Sequence, residues 1–93
     1  MDERVCVHEH ARKHGLRDAV IIYAWQNYFE SARRETTGSE LRIGFTPDGR
    51  SVQMLGVRIE DGWLVFHALS PVTKKVLREI EAAKGRPWRN THW

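Results

Sequence analysis

The stretch that decides the fold is residues 40–59, ELRIGFTPDGRSVQMLGVRI. Its first half alternates between apolar and polar residues, as a strand with one buried face does. The PDG at 47–49 favours a tight reversal, because proline presets φ and glycine accepts a positive φ. SVQMLGVRI then runs back, so the stretch predicts a β-hairpin. In its first strand Leu41, Ile43 and Phe45 share one face, and Glu40, Arg42 and Gly44 share the other.

The chain that follows the hairpin predicts one more strand and a helix. WLVFHAL at 63–69 is apolar on both faces, which is typical of a central strand that is covered on each side. Ser70 and Pro71 predict a helix start, with serine as the cap and proline in the first turn. Gly85 predicts its end. The apolar stripe of this helix consists of Val72, Val76, Leu77, Ile80 and Ala83.

The chain that precedes the hairpin predicts a possible short edge strand at 4–7, two helices and a further strand. The first helix starts at His8 and is stopped by Gly15. Asp18 caps the second, mostly buried helix. A possible strand follows at 28–37. The predicted fold class is therefore α+β, with two short N-terminal helices, an antiparallel meander of three or four strands and a closing C-terminal helix.

Length and composition bound the class of protein. The 93 residues support one domain, which we place at 1–85, followed by an aperiodic tail at 86–93. A net charge of +3 is only mildly basic, so it favours a nucleic-acid partner weakly. No apolar run is long enough for a membrane span, and the charged N-terminus does not resemble a signal peptide. The single cysteine, Cys6, fits a reducing compartment, so we expect a cytoplasmic protein without membrane contact.

Residues 8–15, HEHARKHG, carry three histidines and raise the question of a metal site. His10 and His14 lie one helical turn apart, which is acceptable ligand spacing. His8 lies on the other side of the same helix. Because the neighbouring arginine and lysine repel a divalent cation, the pattern favours a solvated basic face or a phosphate-facing helix over a metal site. We expect no metal and no cofactor.

Two stretches resemble the BrnT-like toxins, ribonuclease partners of small bacterial antitoxins. The first is EHARKHGLRDAVIIYAWQN, with the family's Lys-His-Gly at 13–15, and the second is ELRIGFTPDGR, with its Glu-x-Arg strand. VFHALSPVTKKVL takes the place of the family's last strand and helix. The family usually ends that strand in Ser-Ala-Arg, whereas this chain has His67, Ala68 and Leu69, so the arginine is missing.

The resemblance implies a RelE-like fold, RNA as the substrate, metal-independent cleavage and an antitoxin that binds the toxin. The candidate catalytic residues are His67 for proton transfer, Arg42 for the charge that develops at phosphorus, and Glu40 for orientation or a second proton transfer. The alternatives are a core histidine hydrogen-bonded to backbone and an exposed ion pair of little energetic value. The candidate RNA-binding residues are Lys13, His14, Arg33 and Arg34.

Two other classes of function compete with the ribonuclease. One is a non-catalytic nucleic-acid or protein-binding module of the same fold, which is indifferent to His67. The other is a small metalloprotein that uses the histidines of 8–15. The tail carries Trp88, His92 and Trp93, which can stack on bases or pack on protein. We expect an amphipathic or acidic antitoxin helix to cross one sheet face, shield Arg42 and His67, and use a tail tryptophan as an anchor.

Overall fold

The protein is built on one five-stranded mixed sheet with an α-helix on each face. The computed structural model describes residues 3–85. The order of the strands is β1-β5-β4-β3-β2. In chain order the elements are β1 (Arg4–Val7), a 3-10 turn (Glu9–Arg12), α1 (Asp18–Gln26), β2 (Glu30–Arg34), β3 (Ser39–Phe45), β4 (Ser51–Ile59), β5 (Gly62–Leu69) and α2 (Lys74–Lys84).

The predicted hairpin of residues 40–59 is confirmed as the centre of the sheet. Strands β3 and β4 are antiparallel, and Leu41 lies opposite Leu55. Gly49 has a φ of 91°, the left-handed conformation that the turn needs. The Thr46 hydroxyl accepts a hydrogen bond from the Arg50 backbone N–H at 2.9 Å and so closes the turn. The hairpin therefore fixes which side chains of β3 face each helix.

Each face of the sheet is covered by a different helix, so the protein has two apolar cores. The face towards α1 is centred on Trp25, which is fully buried against Val52, Met54 and Val65. On the other face Val76 and Ile80 of α2 pack on Leu41 and Ile43 of β3. Successive side chains of a strand point to opposite faces. Side chains that sit next to each other in β3, such as Leu41 and Arg42, are therefore separated by the sheet.

The expectation of an antiparallel meander of three or four strands is wrong in two respects, because the sheet has five strands and one of its pairs is parallel. Strand β1 pairs in parallel with β5, and Arg4 lies opposite Gly62. Strand β5 is therefore central, as its two apolar faces predicted. The parallel pair joins the two ends of the described chain, whereas a hydrophobic pattern reports only on neighbouring residues. A local pattern could show that 4–7 is a strand but not which strand it pairs with.

The predicted first helix is wrong as well, because only one 3-10 turn forms, at Glu9–Arg12. The His8 backbone N–H still donates to Val65 O of β5 at 2.8 Å, which holds that residue to the sheet. Gly15 has a φ of 85° and ends the turn as predicted. The residues between these two fixed points are too few for an α-helix of useful length. Chain geometry therefore overrides the helical pattern.

The closing helix forms, but it begins three residues later than predicted. The Ser70–Pro71 peptide bond is cis, and the Ser70 hydroxyl donates to Ser51 O at 2.6 Å instead of capping a helix. Thr73 is the cap, because its hydroxyl accepts a hydrogen bond from the Val76 N–H at 3.3 Å. The predicted end is confirmed, since Gly85 adopts a φ of 70°.

The last residue of β3 is less buried than the sequence predicted. Phe45 was predicted to share the buried face of Leu41, yet it is 42% exposed at the end of β3.

No helix within residues 3–85 is long and apolar enough to cross a bilayer. The predicted tail, with Trp88, His92 and Trp93, lies outside the described residues.

Candidate functional site

Two histidines that are far apart in sequence meet at the edge of strand β5. The ring centroids of His14 and His67 lie 6.0 Å apart, with an angle of 78° between the ring planes. His67 belongs to β5 and lies opposite Leu55, on the face that α2 covers. His14 follows the 3-10 turn, which packs along β5 where β1 has ended. The sheet edge therefore presents a pair of imidazoles.

Gln53 on β4 connects His67 to the start of helix α2. Its Oε1 accepts hydrogen bonds from the Thr73 N–H at 2.8 Å and from the Thr73 hydroxyl at 3.0 Å. The Gln53 amide nitrogen is thereby directed to His67 Nε2, 3.4 Å away. An amide nitrogen only donates, so the arrangement assigns the Nε2 of neutral His67 as the acceptor and places its proton on Nδ1. The contact is long for a hydrogen bond, so a ligand group that donates to His67 Nε2 at a shorter distance can replace the Gln53 amide.

The environment of His67 favours the neutral imidazole. Burial lowers the pKa of His67 below its ordinary value of 6.5, and the positive charges of His14 and Arg34 lower that pKa further. The side chain of His67 is half-buried, whereas that of His14 is exposed. A neutral, partly desolvated imidazole next to an exposed one can accept a proton while its neighbour donates one.

A cleft of ≈ 460 Å³ opens beside His14. Arg17, Asp48, Arg50 and Ser70 are among the residues that line it. The carboxylate of Asp48 forms an exposed ion pair with Arg50 at 3.3 Å. Within residues 3–85 the Arg17 side chain makes no hydrogen bond or ion pair. The cleft therefore offers cationic groups to an anionic chain that passes His14.

The other cations of this end of the molecule differ in how far they are already neutralised. Arg12 donates two hydrogen bonds to Asp18, at 2.7 and 2.8 Å. Lys13 is exposed and makes no ion pair with any residue of 3–85. Of the predicted RNA-binding residues near the cleft, Lys13 and His14 are thus available to a ligand. The sequence indicated these two residues through the Lys-His-Gly motif.

Arg42 and Glu40 form a tight pair, but on the other face of the sheet from His67. Arg42 Nε lies 2.6 Å from Glu40 Oε2, and Arg42 is only 9% exposed. Arg42 Nη1 donates to the backbone oxygen of Trp25 in α1 at 3.0 Å. The predicted catalytic set of His67, Arg42 and Glu40 is therefore not brought together, because alternation along β3 directs both members of the pair towards α1.

The two remaining candidates, Arg33 and Arg34, are separated by the same alternation. Arg34 lies on the α2 face and donates two hydrogen bonds to Glu79, each of 2.7 Å. Arg33 is exposed and pairs in register with Glu40, so it lies on the α1 face. Only Arg34 is on the face of His67, and its charge is largely balanced by Glu79. Neither arginine therefore adds an unpaired positive charge beside the two imidazoles.

The histidines of 8–15 do not converge as metal ligands. His8 and His10 contact each other edge to face, with centroids 4.7 Å apart. The His8 Nδ1 accepts a hydrogen bond from the His10 backbone N–H at 3.1 Å. His14 instead lies beside His67. Across residues 3–85, no group of three or more histidine, cysteine or acidic side chains is placed to hold a metal ion.

Sequence reasoning missed two residues of this site. Gln53 is one polar residue in an apolar strand, and nothing in the pattern indicates that it binds Thr73 and faces His67. Arg17 belongs to the loop before α1 and follows no motif.

Comparison of the chain with protein-family models, with curated proteins and with solved structures gave no match. The resemblance to the BrnT-like toxins therefore stays a prediction from the sequence motifs.

Proposed function

We propose that this chain is the toxin of a type II toxin–antitoxin system, a metal-independent endoribonuclease of the bacterial cytoplasm, as its resemblance to the BrnT-like toxins implies. One observation carries the enzymatic part of the proposal. His14 and His67 form a pair of imidazoles with centroids 6.0 Å apart. Both rings can reach oxygens of a single phosphodiester, since each needs only a hydrogen bond of about 2.6–3.2 Å.

The reaction that suits such a pair is transesterification within the RNA. His67 Nε2 takes the proton of a ribose 2′-hydroxyl, and the 2′-oxygen forms a bond to the adjacent phosphorus. The bond from phosphorus to the 5′-oxygen breaks, and His14 donates a proton to the leaving oxygen. The products are a 2′,3′-cyclic phosphate and a 5′-hydroxyl. No redox change and no external nucleophile is needed.

Each role follows from the environment of the side chain. Burial holds the pKa of His67 below its ordinary value, so the ring is neutral and able to accept a proton near pH 7. Lys13 and Arg17 supply positive charge for the phosphate oxygens beside His14. Arg42 and Glu40 were predicted to serve the reacting phosphate, but they lie beyond the sheet from His67. In this proposal they hold β3 to α1 instead.

The decisive experiment is RNA cleavage by the purified chain in the presence of EDTA. We expect cleavage that leaves 2′,3′-cyclic phosphate ends. His67→Ala and His14→Ala should each lower the rate by about 10²–10⁴, the usual contribution of general acid–base groups. His10→Ala is the matched control, since this histidine is exposed and contacts His8 rather than His67. An equal loss in all three variants, or none, contradicts the mechanism.

The same variants separate the enzyme from its alternative. A non-catalytic nucleic-acid-binding module binds RNA with and without His67 and cuts in neither case. An RNA retention assay with His67→Ala therefore distinguishes lost chemistry from lost binding. If the wild-type chain binds RNA but does not cleave it, the module is the better description.

The biological part of the proposal concerns the antitoxin. Arg42 and His67 lie on opposite faces of the sheet, so the expected single partner helix cannot shield both. A partner that silences the toxin must cover the edge of β5 where His14 and His67 meet. Expression of the chain alone should arrest bacterial growth, and co-expression of the adjacent reading frame should restore it. His67→Ala should abolish the arrest when the chain is expressed alone.

A further inference from the structure

The guanidinium of Arg42 is held between aromatic rings in a cleft on the α1 face. Its central carbon lies 4.1 Å from the centroid of the Trp25 ring and 4.2 Å from that of Tyr28. The Trp63 ring centroid lies 4.9 Å away. All four residues line an opening of ≈ 620 Å³, which we call the Arg42 cleft. The rings restrict the guanidinium so strongly that its free N–H groups point in fixed directions.

Donors in this cleft outnumber their partners. A guanidinium has five N–H donors, and Arg42 uses Nε for Glu40 and Nη1 for Trp25 O. Within residues 3–85 its Nη2 makes no hydrogen bond. The indole Nε1 of Trp25 is buried and also has no partner in this part of the chain. A buried indole N–H without a partner is costly, and the Arg42 Nη2 donors are free to bind, so the cleft is suited to a ligand that brings acceptors.

The charges around the cleft indicate what kind of acceptor fits. Arg42 is balanced by Glu40 at 2.6 Å, and Arg58 is balanced by Glu3 at 2.6 Å. Glu3 also accepts a hydrogen bond from the Trp63 indole N–H at 3.0 Å, which fixes that ring at the wall. A site whose charges already cancel gives little attraction to a phosphate or a carboxylate. It favours an uncharged, flat acceptor that can lie against aromatic rings.

We propose that the Arg42 cleft binds a guanine base of the RNA substrate. Guanine presents two acceptors, O6 and N7, on one edge, and arginine donates to both. Adenine carries an amino donor in place of O6, which opposes the guanidinium. Tyr28, which is 44% exposed, supplies a ring for stacking. This inference deepens the proposed function, because it names the base that the RNA must carry.

The test uses the full chain and nucleoside monophosphates, which contain no phosphodiester that the chain could cleave. Quenching of tryptophan fluorescence should show that GMP binds at least about tenfold more tightly than AMP, which carries the same phosphate. Inosine monophosphate keeps O6 and N7 and should bind like GMP. The 7-deaza analogue of GMP lacks N7 and should bind several-fold more weakly.

Tyr28→Ala should weaken the binding of GMP about tenfold by removing the stacked ring. Phe29→Ala is the matched control, because Phe29 is exposed and aromatic but does not line the cleft. Equal affinities for GMP and AMP, or equal losses in both variants, overturn the proposal. So does tighter binding of a carboxylate peptide than of GMP. RNA cleavage that depends on His14 and His67 survives such a result, so the two proposals fail separately.

Discussion

Arg34 on the edge strand β2 donates two hydrogen bonds to Glu79 on helix α2, both of 2.7 Å. This bidentate contact joins residues that are 45 positions apart and ties β2 to α2. Each side chain is about one-third exposed. The guanidinium lowers the pKa of Glu79, which means that the ion pair favours the charged carboxylate. A residue predicted to bind RNA is thus engaged in holding the fold.

Arg34→Ala should lower the free energy of unfolding by about 1 kcal/mol, the upper end for a partly exposed pair that solvent screens. Arg4→Ala is the control, because the ion pair of Arg4 with Asp61 is longer, at 3.2 Å, and more exposed. Urea unfolding of both variants measures the difference. If Arg4→Ala destabilises as much as Arg34→Ala, the bidentate geometry has no special value.

Arg42→Ala should be far more destabilising, by about 2–4 kcal/mol, because it leaves Glu40 partly buried without its partner and removes the contacts with three rings. Arg42→Lys should not restore the stability, since an ammonium cannot stack flat between rings. Arg58→Ala, which removes an exposed arginine beside the same Trp63, should have a much smaller effect. Thermal unfolding of the three variants ranks them. A folded, stable Arg42→Ala protein would contradict the role of Arg42 as a tie between β3 and α1.

The stability of the fold should fall as the pH falls below the ordinary pKa of histidine. His67 has a lowered pKa when folded, so the unfolded chain binds more protons between that value and about 6.5. The resulting loss of stability is absent above this pH window and grows as the pH falls through it. We expect His67→Gln to lose less stability than the wild type between pH 7.5 and pH 5.5, as measured by urea unfolding. Indistinguishable slopes would show that the burial of His67 has no such cost.

RNA affinity should depend on salt through the cations beside His14. Lys13→Ala and Arg17→Ala should each reduce the slope of log affinity against log salt by about 0.7, the value for one contact with single-stranded nucleic acid. Lys75→Ala, a charge removed from the exposed side of α2, should leave the slope unchanged. A retention assay at several salt concentrations supplies all three slopes. Similar changes in every variant would indicate general attraction only.

The elements of this fold that depend on neighbouring residues could be predicted from the sequence. The PDG turn and the stop at Gly85 are local signals, and the structure contains both. The alternation in β3 predicted the strand correctly but not the burial of its second face, where Arg42 is only 9% exposed. The start of α2 could not be predicted, because the hydroxyl of Ser70 binds Ser51, a residue 19 positions earlier. The same reason explains the missed pairing of β1 with β5.

The candidate site shows the same division. The sequence indicates His67 because it lies near the carboxyl end of a central strand, and His14 because it belongs to a motif. Their proximity could not be predicted, since it depends on how the 3-10 turn packs along β5. Alternation did predict that Glu40 and Arg42 share a face. It could not show that His67 faces the other helix, because a β-bulge between Leu55 and Gly56 changes the register of β4 against β5.

The parallel pairing of β1 with β5 also sets an order of assembly. The hairpin of β3 and β4 joins residues that are close in sequence, so its closure costs little entropy. Strand β1 can pair only after its partner β5, Gly62–Leu69, has been synthesised. Since the segment after β1 carries His14, the two imidazoles meet only when this last strand docks. A chain whose β5 has not yet docked on β1 therefore lacks the pair, and the candidate site is complete only when strands 58 positions apart have paired.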